Sequence, residues 1–203
     1  MKNLLTVDPR LTISKMEDVL DEPKIIRVNK FDEEALEKFE EEINEAQNHV
    51  QPVVPILIDS FGGAVFSLLG FIAAIESTEK PVATIVTTKA MSCGAILFCF
   101  GTEGYRYMHP DAILMIHDIS GIAWGKIEDV KADAKNLEHI HKKVYKKMAK
   151  QLRHPSDYIL DLIRANNHVD LTLTAKKAKK HNIVNHIKVP RLETKINLEM
   201  TFG

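Results

Sequence analysis

Three short stretches of this chain end in residue types that could carry out nucleophilic acyl chemistry. The apolar run over 53–58 leads into Asp59-Ser60-Phe61-Gly62-Gly63. The run over 82–86 leads into Lys89-Ala90-Met91-Ser92-Cys93-Gly94-Ala95. The run over 112–116 ends at His117. Hydrolysis of an amide by a serine needs a base to take the hydroxyl proton. It needs a carboxylate to hold the tautomer of that base, and N–H donors for the tetrahedral oxyanion. Ser92 stands where a strand turns into an apolar helix. The N–H of Cys93 then falls in the first turn of that helix, at the positive end of its dipole. Gly62 ends a second strand, where a glycine lets bare main chain approach a substrate and offer another N–H. His117 ends a third. Asp59, Asp111, Asp118, Asp157, Asp161 and Asp170 are all available as the carboxylate, and periodicity does not choose among them.

Each feature also has an ordinary structural explanation. A serine opening a helix is commonly an N-cap. A histidine after an apolar run is commonly a core or rim residue. A glycine pair after a strand is often only a turn. Their joint placement at three strand ends favours the chemical explanation, because sites in open α/β sheets form at the carboxyl ends of strands.

The elements that must position these residues follow from the pattern along the chain. Residues 1–23 have weak periodicity and mixed charge, and read as an arm with a short helix around 14–20. A strand over 24–28 is followed by a helix capped by Asp32 and running to 46. Ala35, Leu36, Phe39, Ile43 and Ala46 lie on one face of it. The strand over 53–58 and the glycine turn lead to a largely buried helix over 64–77, ended by Lys80-Pro81. A strand over 82–87 precedes a helix over 92–100 that is apolar all round and so central. Strands over 105–108 and 112–117 flank a turn at Pro110-Asp111. After a glycine-punctuated loop over 118–125, one long helix spans 126–152. Its stripe is Val130, Ala134, Leu137, Ile140 or His141, Val144 and Met148. At 1.5 Å per residue it would be about 40 Å long, so its end should project and meet another subunit. A helix over 155–165, a loop or short strand over 166–173, a helix from Thr174 to 181 and a strand over 183–187 complete the domain. Alternating strands and helices imply right-handed crossovers and a mainly parallel sheet.

Composition narrows the function classes. The 203 residues suit one domain. They are 45% hydrophobic and 27% charged, as in a soluble globular protein. A net charge of −1 gives no reason to expect nucleic acid or an anionic membrane as partner. No apolar run approaches the roughly 20 residues that span a bilayer. Cys93 and Cys99 are six apart in one expected helix, off its near-repeat, and should not pair. A reducing, cytoplasmic setting fits. His139 and His141 face different sides of a helix and make a poor metal pair. With no zinc-type or phosphate-binding motif, no metal or cofactor is expected. Lys176-Lys177-Ala178-Lys179-Lys180 reads as a solvated helix face.

Taken in order, Ser60-Phe61-Gly62-Gly63, Met91-Ser92-Cys93-Gly94-Ala95, Met115-Ile116-His117 and Asp170-Leu171-Thr172-Leu173-Thr174-Ala175 resemble the motifs of the ClpP family, the proteolytic subunits of the Clp protease. The resemblance covers roughly residues 24–188, and several motifs in register are more specific than any one. It implies a crotonase-like α/β subunit over 24–190, with 126–152 as a handle helix, 1–23 as an arm and 191–203 as a tail. It implies Ser92 as nucleophile, His117 as general base and Asp170 as orienting acid. The N–H groups of Gly62 and Cys93 would form the oxyanion hole, with Gly63, Met91 and Ile119 beside the substrate. It also implies heptameric rings stacked as a tetradecamer around a closed chamber, served by a AAA+ unfoldase. Here Phe61 replaces the family's proline and Cys93 its methionine, while His168 and Val169 stand where the family has an Asp-Arg pair. The implied activity is a serine endopeptidase acting on unfolded polypeptides and short peptides. The competing expectations are a scaffold subunit without turnover and an acyl-CoA enzyme of crotonase type.

Overall fold

The computed structural model describes residues 23–118, 126–167 and 169–191. The expected arm with its helix around 14–20, residue Ile119 with the rest of 119–125, His168 and the tail from 192 lie outside the described residues.

Continuous apolar runs give the central strands, as expected where a parallel strand is buried on both faces. In chain order, β1 is Ile26–Val28, α1 Glu33–Asn48, β2 Val54–Ser60, α2 Val65–Glu76, β3 Val82–Met91 and α3 Cys93–Cys99. Then come β4 Arg106–Met108, β5 Ile113–Ile116, α4 Ile127–Gln151, α5 Tyr158–Ala165, β6 Leu171–Thr174, α6 Ala175–Lys180 and β7 His186–Ile187. The main path of the sheet is β1-β2-β3-β4-β7, and every pair along it is parallel. The chain is thus α/β, with a mostly parallel sheet flanked by helices.

The long strand β3 changes partner along its length. Thr84, Ile85 and Val86 pair with β4, whereas Lys89, Ala90 and Met91 pair with β5. This switch opens a second branch, in which β6 runs antiparallel to β5. The sequence pattern ends the strand at 87, because Thr87-Thr88-Lys89 breaks the apolar run. The structure carries it to Met91, because β5 supplies hydrogen-bond partners there. β6 takes up the end of the stretch expected as a loop or short strand over 166–173 and runs on to Thr174, and α3 begins at Cys93, one residue after Ser92.

The core lies on both sides of β2 and β3. Asp32 caps α1 as expected, its Oδ1 accepting from the Ala35 N–H at 2.8 Å. Phe39 of α1 meets Phe71 of α2 with ring centroids 4.5 Å apart, and Phe31 meets Phe71 at 4.9 Å. Burying each such ring contributes roughly 1.5–3 kcal/mol. Helix α3 is buried at every position. It touches β2, β3 and β5 as well as α2 and α4. Helix α4 is different. Its buried residues are Val144, Tyr145, Met148 and Ala149, all in its C-terminal part. Ala134 of the expected stripe is exposed, while Val130 and Leu137 are only half-buried. The N-terminal half therefore stands off the domain.

Arg106 has no exposed surface. Its guanidinium donates to the carbonyls of Ile183 (2.9 Å), Gly101 (3.2 Å) and Asn182 (2.9 Å) and to Glu103 Oε2 (2.9 Å). This fork ties β4 to the segment before β7. Burial alone would raise the Glu103 carboxyl, but the Arg106 hydrogen bond and charge hold it below the usual range.

Candidate active site

The glycine turn and the serine meet at the ends of β2 and β3. Gly62 has φ +109°, a conformation open to glycine and strained for other residues. A Cβ built on Gly62 would lie 2.8 Å from Ser92 Cβ and 3.2 Å from Ser92 Oγ. Bare main chain at 62 is therefore what allows the turn to lie against the serine. A Cβ on Gly63 would meet the Phe31 carbonyl at 2.4 Å, because Gly63 pairs with Phe31 as a parallel bridge.

Ser92 itself has φ 54° and ψ −121°. A non-glycine residue held there stores on the order of 1–3 kcal/mol of strain, which the surroundings must fix. Two main-chain bonds do so. The Ser92 N–H donates to the Met115 carbonyl at 2.8 Å, and the Ser92 carbonyl accepts from Ile96 at 3.1 Å. The hydroxyl makes no capping bond to α3. An ordinary N-cap has extended geometry and an engaged side chain, and Ser92 has neither. The strand-to-helix turn is a sharp elbow, and Ser92 at its apex is half-buried.

Cys93, buried at the start of α3, donates from Sγ to the Gly63 carbonyl at 3.3 Å, joining the helix start to the glycine turn. Burial pushes this thiol up and keeps it protonated. The Gly62 N–H points to Ser60 Oγ at 3.0 Å, and Ser60 is itself buried. One expected oxyanion donor is thus engaged by a neighbouring hydroxyl. Met91, half-buried at the end of β3, brings its carbonyl to 3.2 Å from the position of a Cβ on Gly62.

His117 follows β5 and is half-buried. It lines a cleft of about 170 Å³ together with Ser92, Gly63, Val65, Cys93, Leu137 and Tyr145. Tyr145, 1% exposed, reaches from α4 and donates its hydroxyl to the His117 carbonyl at 2.6 Å. Burial raises the Tyr145 hydroxyl well above its ordinary value, so it stays a donor. Beside it, His141 Nε2 sits 3.3 Å from Asp118 Oδ1. Burial lowers His141 below the ordinary imidazole value, and the Asp118 charge opposes this only in part.

The candidate carboxylates separate by their partners. Asp59 pairs with Lys89 at 2.7 Å, Asp157 with Lys146 at 3.6 Å and Asp161 with Arg164 at 3.0 Å. Asp111 lies 3.8 Å from His109, and Asp118 faces His141. Asp170 is exposed, just before β6. Because Ile116 pairs with Leu171 in the antiparallel ladder, the next positions along the two strands are His117 and Asp170. The register sets these two across from each other. Among the described residues, no side-chain hydrogen bond or ion pair joins Asp170 to His117 or Ser92 to His117. Relays of this kind are often open in a free enzyme and tighten on substrate.

The sequence pattern overlooked two residues at this site. Tyr145 lies beside Val144 on the buried face of α4, and a buried tyrosine normally needs a polar partner. Ser60 stands within the glycine motif but points inward, which strand alternation from buried Ile58 could have indicated.

Residues 10–191 match the family model described as Clp protease. The ATP-dependent Clp protease proteolytic subunit of Bacteroides thetaiotaomicron is 30% identical over 138 residues, which are 68% of this chain and 61% of that relative. The subunit of the same description in Bacteroides fragilis is 28% identical over 138 residues, 68% of this chain and 65% of that relative. The match spans less than two thirds of these relatives' own length. From the glycine turn against Ser92 to the strand ends that carry His117 and Asp170, the matched residues contain the whole candidate site, and the chain belongs to the Clp protease family.

Proposed function

We propose that this chain is a serine-type endopeptidase, the proteolytic subunit of a compartmentalised Clp-like protease. Its substrates are unfolded polypeptides and short peptides. The observation that carries this reading is the Ser92 elbow. A strained serine, uncapped and pressed against a glycine turn, is poor design for a helix start and good design for a nucleophile. Ser92 Oγ attacks the scissile carbonyl while His117 takes its proton. Asp170, across the β5–β6 ladder, holds the imidazole and stabilises its charged form. The oxyanion is met by the N–H groups of Gly62 and Cys93, with the Gly62 N–H leaving Ser60 Oγ for the stronger charged acceptor. His117 then protonates the departing amine. The acyl-enzyme is released by a water that His117 deprotonates. Gly63, Met91 and Ile119 flank the substrate.

The relatives' description as ATP-dependent proteolytic subunits supports an assembly that works with an ATP-driven partner; in this reading the partner is a AAA+ unfoldase and the setting cytoplasmic. The exposed N-terminal half of α4 suits a handle that docks heptameric rings into a tetradecamer. A specific observation favours a second reading, a scaffold subunit with weak turnover. The Gly62 N–H is engaged by Ser60, and the relay bonds are open.

Labelling with a fluorophosphonate, read by mass spectrometry across a gel-filtration profile, separates the two. Label on Ser92 in a large-oligomer fraction supports the peptidase. Ser92→Ala should then lose peptide cleavage and keep the oligomer. Absence of label in that fraction would favour the scaffold.

A further inference from the structure

Phe61 stands one residue before Gly62, and its side chain is 73% exposed. Single exposed apolar residues are ordinary, but two observations set this one apart. The first is position. Gly62 lies against Ser92, with 3.2 Å between a Cβ there and Ser92 Oγ, so one residue separates Phe61 from the nucleophile. The second is restraint. Lys89 Nζ sits over the Phe61 ring, 4.4 Å from its centroid. Lys89 is held in turn by Asp59 Oδ1 at 2.7 Å. Asp59 belongs to β2 and Lys89 to β3, the two strands whose ends form the site. The clamp is therefore built on the sheet, which fixes a subsite better than a loop does.

We propose that Phe61, clamped by Lys89, is a substrate-binding residue whose ring packs an apolar side chain flanking the scissile amide of an extended polypeptide. This rests on the peptidase reading given above. A ring already fixed loses little freedom on binding, so contact with it converts efficiently into affinity. The ammonium on one face draws on the negative potential of the ring. The remaining surface is then suited to aliphatic and aromatic side chains and poorly suited to a second cation. Peptides with leucine or phenylalanine beside the scissile bond are preferred over those with serine or lysine there.

The test uses the Ser92→Ala oligomer and fluorescent peptides that differ at one position on either side of the scissile bond, with affinity read by anisotropy. Adding Phe61→Ala should weaken binding of the leucine and phenylalanine peptides about tenfold. The serine peptide should change by less than about twofold. Lys89→Met, which removes the clamp and leaves the ring, should give a loss of about threefold for the apolar peptides alone. In the Ser92 enzyme, Phe61→Ala should raise KM for those peptides and leave kcat near its starting value. A uniform loss across all peptides would overturn the proposal, and so would absence of peptide binding. A change confined to the oligomer, seen by sedimentation, would assign Phe61 to a subunit contact. If the chain neither turns over nor labels with a fluorophosphonate, yet its apolar preference disappears in Phe61→Ala, the peptidase reading fails and the binding role stands.

Discussion

The Tyr145 hydroxyl donates to the main-chain carbonyl of His117 at 2.6 Å, so the helix that projects from the domain also holds the strand end carrying the candidate base. The contact is partly buried and restrains the main chain at 117. Tyr145→Phe keeps the packing and removes the bond. It should cost about 1 kcal/mol of stability, with kcat falling severalfold and KM little changed. Urea unfolding and steady-state peptide kinetics check the two effects. A normal kcat would make the bond purely structural.

Gly62 accepts no side chain without a shift of its neighbours. Gly62→Ala places a methyl 2.8 Å from Ser92 Cβ and imposes a strained φ of +109°. The turn must shift, and its N–H moves with it. Loss of one oxyanion donor is worth about 10²–10³ in kcat. The oligomer should persist, because the change is confined to the strand end. Peptidase assays on the gel-filtered assembly read both outcomes.

Arg106 is fully buried and serves three carbonyls and one carboxylate. Removing the guanidinium takes the donor from Glu103 Oε2 and from the Ile183 and Asn182 carbonyls, while Glu103 keeps Asn185 Nδ2 at 2.9 Å and the Gly101 carbonyl keeps only a long contact to Gln151 at 3.5 Å. Arg106→Ala should destabilise the fold by about 3–5 kcal/mol. Arg106→Lys should recover only part of this, since one ammonium cannot reproduce the planar fork. Chemical denaturation of the three proteins decides it.

His141 and His181 are both held below the ordinary imidazole value by burial, with His154 and Lys180 adding to the effect at His181. The folded chain resists protonation that the unfolded chain accepts near pH 6.5. Their contribution to stability is therefore complete above that value and lost as pH falls through the imidazole range. The urea midpoint should drop between about pH 8 and about pH 5.5. The double variant His141→Gln, His181→Gln should show a shallower slope.

Much of this could be read from local pattern, and the exceptions share a cause. The apolar runs before Asp59, Lys89 and His117 marked β2, β3 and β5, because a strand buried on both faces needs little else. The last residues of β3 and the whole of β6 were harder. Thr87-Thr88-Lys89 ends the apolar run, and although threonine favours an extended chain, the partner that keeps the strand going there is β5, which is distant in sequence. The Ser92 elbow is similar, because a positive φ at a serine is imposed by neighbouring strands and not by its own propensity. Arg106 gave no signal, since its partners at Gly101, Asn182 and Ile183 come together only in the fold. Ser92, Gly62 and His117 were found together because each ends a run, and their separate strands are neighbours.

The change of partner along β3 also divides the domain kinetically. The β5–β6 branch is anchored to the sheet through the three register pairs Lys89–Ile113, Ala90–Leu114 and Met91–Met115. Units attached so narrowly open below the global unfolding free energy. His117 and Asp170 ride on this branch, while Ser92 and Gly62 belong to the trunk. Amide hydrogen exchange should therefore find two protection classes across one site, with the amides of Leu114 and Leu173 exchanging as a group ahead of those of Ile56 and Ile85. Ser92 and His117, the proposed nucleophile and base, would then sit on two separately breathing pieces of one polypeptide.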